Sequence, residues 1–333
     1  MGVAAANAES SPTAELDLLD HRFLLFTGKG GVGKSTLTAS VAIEAAARGM
    51  RPLVVELGHR ATMRSVFGVD TVGLAPRPVG LGVHAMSVEF EQAVVEYMVQ
   101  HIPSRRTARA IAGNQVLDRL FRAMPAVGEI ATINILRARE AEVDEAGRPR
   151  WSPILVDLDA TGHALMFLEL RDVVGPLMGA GPMRRLLDDM AELFADPERT
   201  RLNLVTLPEE LPVTETLELH ERLAAKGSVA FGRIFVNRVP HTGLIGAEAT
   251  VEQLHEAAVR SADHELRSDA VFALAALDNE RRARAQIDRL QEGLPLPILE
   301  LPRLPAARLT GTDLRDLGRA ALASTVSADP EGS

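Results

Sequence analysis

Short apolar runs recur along the chain, and they are nearly continuous rather than alternating with polar residues. Seven of them are RFLLFTG, PLVVEL, GVHAMSV, PILVDLD, LNLVTL, RIFVNRV and LPILELP. Continuous apolar runs are typical of strands that are covered on both faces. Stretches with helical periodicity separate most of them, for example STLTASVAIEAAARG and TETLELHERLAAKG. This order predicts an α/β fold with a mostly parallel, doubly wound sheet and helices on both sides.

The alternation of strands and helices lapses twice, at about 89–146 and at 164–195. Apolar residues there follow helical spacing, as at Val116, Leu120 and Met124. We therefore predict a helical subdomain inserted into one domain spanning residues 19–325. The polar ends, 1–18 and 326–333, are expected to be mobile tails.

Composition narrows the classes of protein. A net charge of -9 argues against a general nucleic-acid-binding protein, and the arginine-rich run at 281–289 is predicted to be a solvated helix face. The absence of cysteine excludes disulfides and thiolate metal sites. Neither a secretory signal nor an apolar run long enough to span a bilayer is found, and 312–324 is too weakly amphipathic to suggest a membrane-binding tail. We expect a cytoplasmic protein without a stable membrane anchor.

The stretch FTGKGGVGKST, residues 26–36, fits the phosphate-loop pattern G-x-x-x-x-G-K-[ST]. Glycines let backbone N–H groups surround phosphates, Lys34 would meet the β- and γ-phosphates, and the Ser35 hydroxyl would bind Mg²⁺. An apolar run precedes the loop and a helical stretch follows it, as this motif requires. We therefore predict ATP and Mg²⁺ as ligands. The predicted contacts in the loop are Gly28, Lys29, Gly30, Gly31, Val32, Gly33, Lys34, Ser35 and Thr36.

Lys29 is a second lysine in the loop of a chain that has only three lysines and 33 arginines. Together with Lys34 it completes K-G-G-V-G-K-S, the deviant Walker A phosphate loop. Further segments follow in order along the chain: PAVGE, DLDATGHAL, FADPERT, TLPEELPVTET, VNR and LPRL. In these segments the chain resembles the anion-transporting ATPase family, which includes the arsenite-pump ATPases and the targeting ATPases for tail-anchored proteins.

The resemblance implies roles for individual residues. Lys29 would reach across a two-fold interface to the nucleotide of the other subunit, so that a homodimer or a heterodimer with a paralogue is expected; the alternative is a solvated loop lysine. Asp157 would hold Mg²⁺ through water, unless it only caps a turn. Asn237 and Pro302 would contact adenine, although Asn237 could instead bond local backbone. His163 could brace its loop or sense phosphate.

The sequence departs from the family after the second strand. Where the family has S-T-D-P-A-H, this chain has ELGHRA at 56–61, so Gly58 stands at the position of the aspartate that orients the attacking water. Losing such a group typically costs about 10²- to 10⁴-fold in rate. Glu56 or Asp159 could substitute for it, or could act as a helix cap or a Mg²⁺ outer-sphere group.

The missing cysteines also remove the ligands that arsenite coordination and a zinc-clamped dimer need. We expect a dimeric ATPase, slow or partner-stimulated, that gates the binding of a protein or an apolar client at the helical subdomain. Seven of the ten methionines lie at 86–190, and flexible thioethers suit an adaptable surface or a core equally. The alternatives are a non-hydrolysing ATP-binding subunit of a heterodimer and a partitioning or positioning ATPase.

Overall fold

The computed structural model describes most of the chain, with gaps. The described residues are 17–58, 62–89, 92–94, 96–97, 127–158, 167–177, 179–261, 263–304 and 309–323. Asp159, His163 and most of the first predicted helical region lie outside them.

One sheet of eight strands organises the described residues, in the order β3-β4-β2-β5-β1-β6-β7-β8. Its strands are β1 (Phe23–Thr27), β2 (Leu53–Leu57), β3 (Arg77–Gly80), β4 (Val83–Val88), β5 (Ile154–Asp157), β6 (Thr200–Thr206), β7 (Phe231–Val239) and β8 (Ile298–Pro302). All neighbouring pairs are parallel except β3 with β4, which is antiparallel. The central strands β1, β2 and β5 are buried at every position, as their continuous apolar runs predict.

Nine α-helices connect and flank the strands in the described part of the chain. They are α1 (Lys34–Ala47), α2 (Thr62–Phe67), α3 (Val127–Glu140), α4 (Leu170–Val174), α5 (Pro182–Ala195), α6 (Glu210–Ala224), α7 (Glu248–Arg260), α8 (His264–Gly293) and α9 (Gly311–Ala321). Short 3₁₀ turns occupy Leu18–Asp20 and Gly175–Leu177.

Alternate residues of the strands point into two separate apolar layers. On β1, Phe23 and Leu25 enter the layer formed with α3, α5, α6 and α8. Leu24 and Phe26 enter the other layer, which α1 and α9 cover. Helices on both faces of a mostly parallel sheet make this a doubly wound α/β fold, so the predicted fold class is confirmed.

The structure confirms all seven predicted strands and adds one that the sequence pattern did not indicate. In β3 only Val79 is buried, and the strand lies antiparallel at the sheet edge, so it lacks an apolar run. Leu18 falls at the end of the predicted N-terminal tail, but it is buried in the same apolar layer as Leu24.

Helix α9 corrects the expectation that 312–324 is only weakly amphipathic. Its apolar side chains Leu314, Leu317 and Ala321 are buried in the layer that contains α1. The two helices cross closely at Gly318, where a Cβ atom would lie 2.1 Å from the carbonyl oxygen of Ser40. This apolar face is therefore covered by the protein itself.

The arginine run and the clustered methionines differ in their exposure. The arginine run at 281–289 lies on α8, where Arg281, Arg282 and Arg284 are exposed and each forms an ion pair with a carboxylate, so the solvated face is confirmed. Met86 and Met190, two of the clustered methionines, are buried in the core and add nothing to a client surface. In the described part of the chain, no helix combines the length and apolar character needed to cross a bilayer.

Candidate nucleotide-binding site

The predicted site residues meet at the carboxyl edge of the sheet, where ligands bind in open α/β folds. β1 ends at Thr27, residues 28–33 form the loop, and α1 begins at Lys34. Helix α1 has Gly33 at its N-cap, so the capping residue has no side chain to bond the first N–H groups. A helix start of this kind suits an anion, which can accept from the backbone donors of the first turn.

Two glycines of the loop are required by close packing and by backbone conformation. Gly28 has φ = 151°, and a Cβ atom there would lie 2.0 Å from the carbonyl oxygen of Val205 on β6. Gly33 has φ = 98°, and its Cβ atom would lie 2.3 Å from Nδ2 of Asn237 on β7. Any side chain at either position would collide with the neighbouring strand. The loop therefore keeps its backbone close to the ends of β6 and β7.

Lys34 is buried and its ammonium group folds back onto the loop. Nζ donates to the carbonyl oxygens of Gly28, at 2.9 Å, and Lys29, at 3.1 Å. Both acceptors are uncharged, so phosphate oxygens would bind the ammonium group more strongly. The side chain is thereby positioned inside the loop before a nucleotide arrives.

Lys29 forms an ion pair within its own chain, which neither sequence-based interpretation anticipated. Its Nζ lies 3.0 Å from Oε1 of Glu215 on α6, and about a third of each side chain is exposed. Lys29 is therefore neither a freely solvated lysine nor directed away from its own subunit in this conformation. Glu215 belongs to the TLPEELPVTET segment, but the sequence contained no signal that it contacts the loop.

Asp157 and Glu56 are directly opposite each other on the neighbouring strands β5 and β2. Both are buried. Oε1 of Glu56 accepts hydrogen bonds from the backbone N–H of Thr62, at 2.7 Å, and of Met63, at 3.3 Å. Burial raises the pKa of Glu56 to about 7; the negative charge of Asp157 adds to the rise, and the hydrogen bonds from Thr62 and Met63 oppose it.

Glu56 therefore serves as a cap for the start of α2, one of the three roles left open by the sequence. Its Oε1 accepts from the N–H groups of Thr62 and Met63, and its Oε2 also accepts from that of Met63, at 3.4 Å. Gly58 directly follows β2 with φ = 95°, a conformation that favours glycine, and its N–H donates to the carbonyl oxygen of Val88. Asp159, the other proposed substitute for the missing aspartate, lies outside the described residues.

Asn237, which is expected to lie near adenine, connects β7 to the phosphate loop by a hydrogen bond. Its Nδ2 donates to the carbonyl oxygen of Val32 at 2.8 Å, and its Oδ1 accepts from the N–H of Arg238 at 2.9 Å. These bonds match the local-backbone alternative, although the second N–H of the amide is not committed by them. Pro302 ends β8 at the same edge of the sheet and is exposed.

The residues around the loop fit ATP and Mg²⁺. The loop is a glycine cradle at the open end of a helix, and Thr27 beside it has a buried hydroxyl oxygen without a hydrogen-bond partner among the described atoms. Mg²⁺ in such sites needs few protein ligands, because water and phosphate oxygens supply the rest. The Ser35 hydroxyl and the Asp157 carboxylate are suitable, so the lack of a cluster of three acidic or histidine side chains in the described residues is no obstacle.

Comparisons with known proteins show which ATPases this chain is similar to. The family model described as anion-transporting ATPase matches residues 21–190, just over half of the chain. ATPase BagA of Mycobacterium tuberculosis is 29% identical over 315 residues, which cover 89% of this chain and 90% of that protein. An arsenical pump-driving ATPase of Acidiphilium multivorum is 28% identical over 62% of this chain, but only 37% of that longer protein is covered. ATPase GET3C of Arabidopsis thaliana is 22% identical over 66% of this chain and 67% of its own length.

Proposed function

Because the chain belongs to the anion-transporting ATPase family, we propose that it is a nucleotide-gated ATPase that binds ATP·Mg²⁺ in the loop 28–33. Membership in this family supports ATPase activity in general. The observation that carries the proposal is the glycine cradle between β1 and α1 with Lys34 folded into it. The close packing of Gly28 and Gly33 against neighbouring strands supports this role.

On binding, Lys34 would exchange its bonds to Gly28 and Lys29 for oxygens of the β- and γ-phosphates. The N–H groups of the loop and of the first turn of α1 would hold the remaining phosphate oxygens. Ser35 and Asp157 would hold Mg²⁺, Asp157 through water. The metal ion supplies positive charge that neutralises the phosphates and polarises the transferred group.

Hydrolysis by the isolated chain should be slow. Gly58 offers no carboxylate for the attacking water, and Glu56 is buried with its carboxylate bonded to the start of α2. A carboxylate that is engaged in this way is poorly available as a base unless α2 moves. We propose that a partner or a client, by shifting this segment, stimulates turnover.

We also propose that the active form is a dimer in which Lys29 acts on the partner's nucleotide. Positive charge delivered across an interface stabilises the charge that develops in phosphoryl transfer. Lys29 must first leave Glu215, and an ion pair this exposed contributes only about 0.2–1 kcal/mol. Moving Lys29 from Glu215 to the partner's nucleotide therefore costs little free energy.

The client is proposed to bind the helical regions on the sheet, to which α3 and α5 belong. ATP-dependent dimerisation would alter the surface there and so gate the client. Zinc and arsenite are not part of the proposal, because the chain has no cysteine to ligate them.

A second function is favoured by Gly58 and by the engaged Glu56. The chain could be a non-hydrolysing ATP-binding subunit that pairs with a paralogue carrying the aspartate. In that case ATP would still bind and would still promote association, but the chain alone would show no turnover.

The proposal is tested by sedimentation velocity of the full chain with ATP·Mg²⁺, with ADP·Mg²⁺ and without nucleotide, together with ATP turnover at the same protein concentrations. We expect a dimer only with ATP, and Lys29→Ala should bind ATP but remain a monomer. A chain that is monomeric in every condition, alone and mixed with a paralogue, would contradict the dimer.

A further inference from the structure

A cavity of about 180 Å³ lies at the amino edge of the sheet, opposite the phosphate loop. Its lining residues surround the starts of β1, β6, β7 and β8: Leu18, His21, Arg201, Phe231, Gly232, Arg233, Leu296 and Pro297. The phosphate loop follows the carboxyl end of β1, so the cavity is a separate site. The two guanidinium groups of Arg201 and Arg233 give this small cavity positive charge.

Arg233 is the most informative residue of this cavity. The residue is 8% exposed, and Nη1 donates to the carbonyl oxygen of Ala323, after the end of α9, at 3.2 Å. Among the described residues, no carboxylate lies within the 4.0 Å that defines an ion pair with it. A guanidinium group has five N–H donors and retains its charge in proteins. Burying such a group is costly unless an anion accompanies it.

Arg201 is fixed beside Arg233 by a chain of hydrogen bonds. Nδ1 of the buried His21 lies 3.1 Å from the carbonyl oxygen of Leu18, which assigns the ring proton to Nδ1. Nε2 of His21 then accepts from Nε of Arg201 at 3.1 Å. Nη1 of Arg201 donates to the carbonyl oxygen of Phe231 at 3.2 Å. The guanidinium group is thereby held in one orientation at the cavity wall.

The backbone between the two arginines is fixed as well. The N–H of Arg233 donates to Oδ1 of the fully buried Asn203 at 3.2 Å. At Gly232 a Cβ atom would lie 2.6 Å from the same Oδ1 and 3.0 Å from Cβ of Arg201. Glycine therefore lets β7 approach β6 closely at the cavity, and the two arginines face it from adjacent strands.

We propose that this cavity binds a small oxyanion, with the guanidinium groups of Arg201 and Arg233 as its ligands. Guanidinium groups form charge-assisted pairs with carboxylate and phosphate oxygens. A cavity of about 180 Å³ has room for an anion of a few heavy atoms, since a single water needs only about 10–15 Å³ of such space. The rest of the lining is partly apolar, which suits an anion with at most a short carbon chain. Its apolar residues are Leu18, Phe231, Leu296 and Pro297. Inorganic phosphate and a short dicarboxylate are the two probes that represent this class.

The first experiment measures thermal unfolding of the full chain against increasing phosphate, malonate or chloride at constant ionic strength. Lys34→Ala serves as the background, because it removes phosphate binding at the loop. We expect phosphate or malonate, but not chloride, to raise the melting temperature with saturation. The probe with the lower half-saturating concentration is the oxyanion that the cavity prefers.

Arg233→Gln in this background should raise the half-saturating concentration at least about tenfold, since a charge-assisted hydrogen bond contributes roughly 1.5–3 kcal/mol. The matched control is Arg222→Gln, which removes the same charge from an exposed position on α6 and should change nothing. If Arg233→Gln does not fold, Arg201→Gln, at a partly exposed position, replaces it. An unchanged response in the folded cavity variant overturns the proposal.

The second experiment needs no variant. Crystals of the wild-type chain soaked in tungstate should show an anomalous peak between Arg201 and Arg233, and malonate should displace it. The phosphate loop provides the positive control, because tungstate is expected there too. A peak at the loop with none in the cavity would mean that the cavity does not take an anion and would overturn the proposal.

Discussion

Nζ of Lys29 lies 3.0 Å from Oε1 of Glu215, which joins the phosphate loop to the helix α6 of the same chain. The two residues are 186 positions apart in the sequence. The same lysine is the one that the proposed dimer needs at the nucleotide of the other subunit. Lys29 cannot pair with Glu215 and contact that nucleotide at the same time. In the proposed dimer, the ion pair with Glu215 would therefore oppose dimerisation.

We predict that Glu215→Gln lowers the protein concentration at which ATP drives dimerisation. The amide removes the charge that holds Lys29. Each subunit loses an exposed ion pair of about 0.2–1 kcal/mol, and a homodimer has two of them, so the dimerisation constant should change by at most about thirtyfold. Sedimentation equilibrium with ATP·Mg²⁺ measures it.

Glu218→Gln is the control, because it makes the same change at an exposed position on the same helix. If both variants shift dimerisation equally, the effect comes from net charge, and the Lys29–Glu215 pair has no specific role.

The position of the missing aspartate gives a second prediction. Gly58→Asp should raise the rate of ATP turnover at least about tenfold without tightening ATP binding, because it returns a carboxylate to the segment that follows β2. Since Gly58 has φ = 95°, the variant should also lose about 1–2 kcal/mol of stability. Single-turnover hydrolysis and thermal unfolding measure the two effects.

Gly58→Asn separates the effect of the carboxylate from that of backbone strain, because asparagine imposes the same strain without the charge. Turnover that rises equally in both variants would mean that the carboxylate is not the cause. Rapid turnover by the wild type that is abolished by Asp159→Ala would show instead that Asp159 already performs this role.

The sequence was sufficient for the parallel strands and the phosphate loop, because both depend on local patterns: continuous apolar runs, and glycines at fixed spacing from Lys34. It was insufficient where a contact depends on the three-dimensional arrangement. β3 is stabilised by pairing at an edge rather than by burial. The Lys29–Glu215 pair joins distant segments. The capping of α2 by Glu56 requires the start of that helix to lie beside the end of β2.

Glu56 leads to a prediction about pH. Its pKa is raised to about 7, mainly by burial, whereas the unfolded chain has a value near 4.5. Between these values the folded protein keeps a proton that the unfolded chain has lost, so this group makes the wild type less stable as pH rises from about 4.5 to 7. Glu56→Gln keeps an oxygen for the N–H of Thr62 and cannot ionise.

We therefore expect the melting temperature of Glu56→Gln, relative to wild type, to increase between pH 5 and pH 8. The melts are compared in EDTA without nucleotide, so that metal binding does not contribute. Glu56→Ala should be less stable than Glu56→Gln at every pH, because it leaves the start of α2 uncapped at a cost of about 0.5–2 kcal/mol. A constant difference between wild type and Glu56→Gln across this range would contradict the raised pKa.

Asn237 gives a prediction about preorganisation of the loop. Asn237→Asp replaces the Nδ2 donor with an oxygen that faces the carbonyl oxygen of Val32, formerly 2.8 Å from the amide. Repulsion should displace the loop and weaken ATP affinity about tenfold or more, consistent with the loss of a buried hydrogen bond. Asn237→Ser keeps a hydrogen-bond donor, so it should weaken ATP affinity less than Asn237→Asp does. Fluorescent ATP binding measures both, and equal affinities for all three proteins would show that this bond does not position the loop.

The central claim is that the loop 28–33 and Lys34 bind ATP·Mg²⁺, and calorimetric titration tests it most directly. We predict saturable binding of one ATP per wild-type chain and no detectable binding by Lys34→Ala with an unchanged melting temperature. Lys226→Ala, which alters a lysine paired with Glu169 instead, should bind like the wild type. Wild-type affinity in folded Lys34→Ala, or no binding by the wild type itself, would contradict the account.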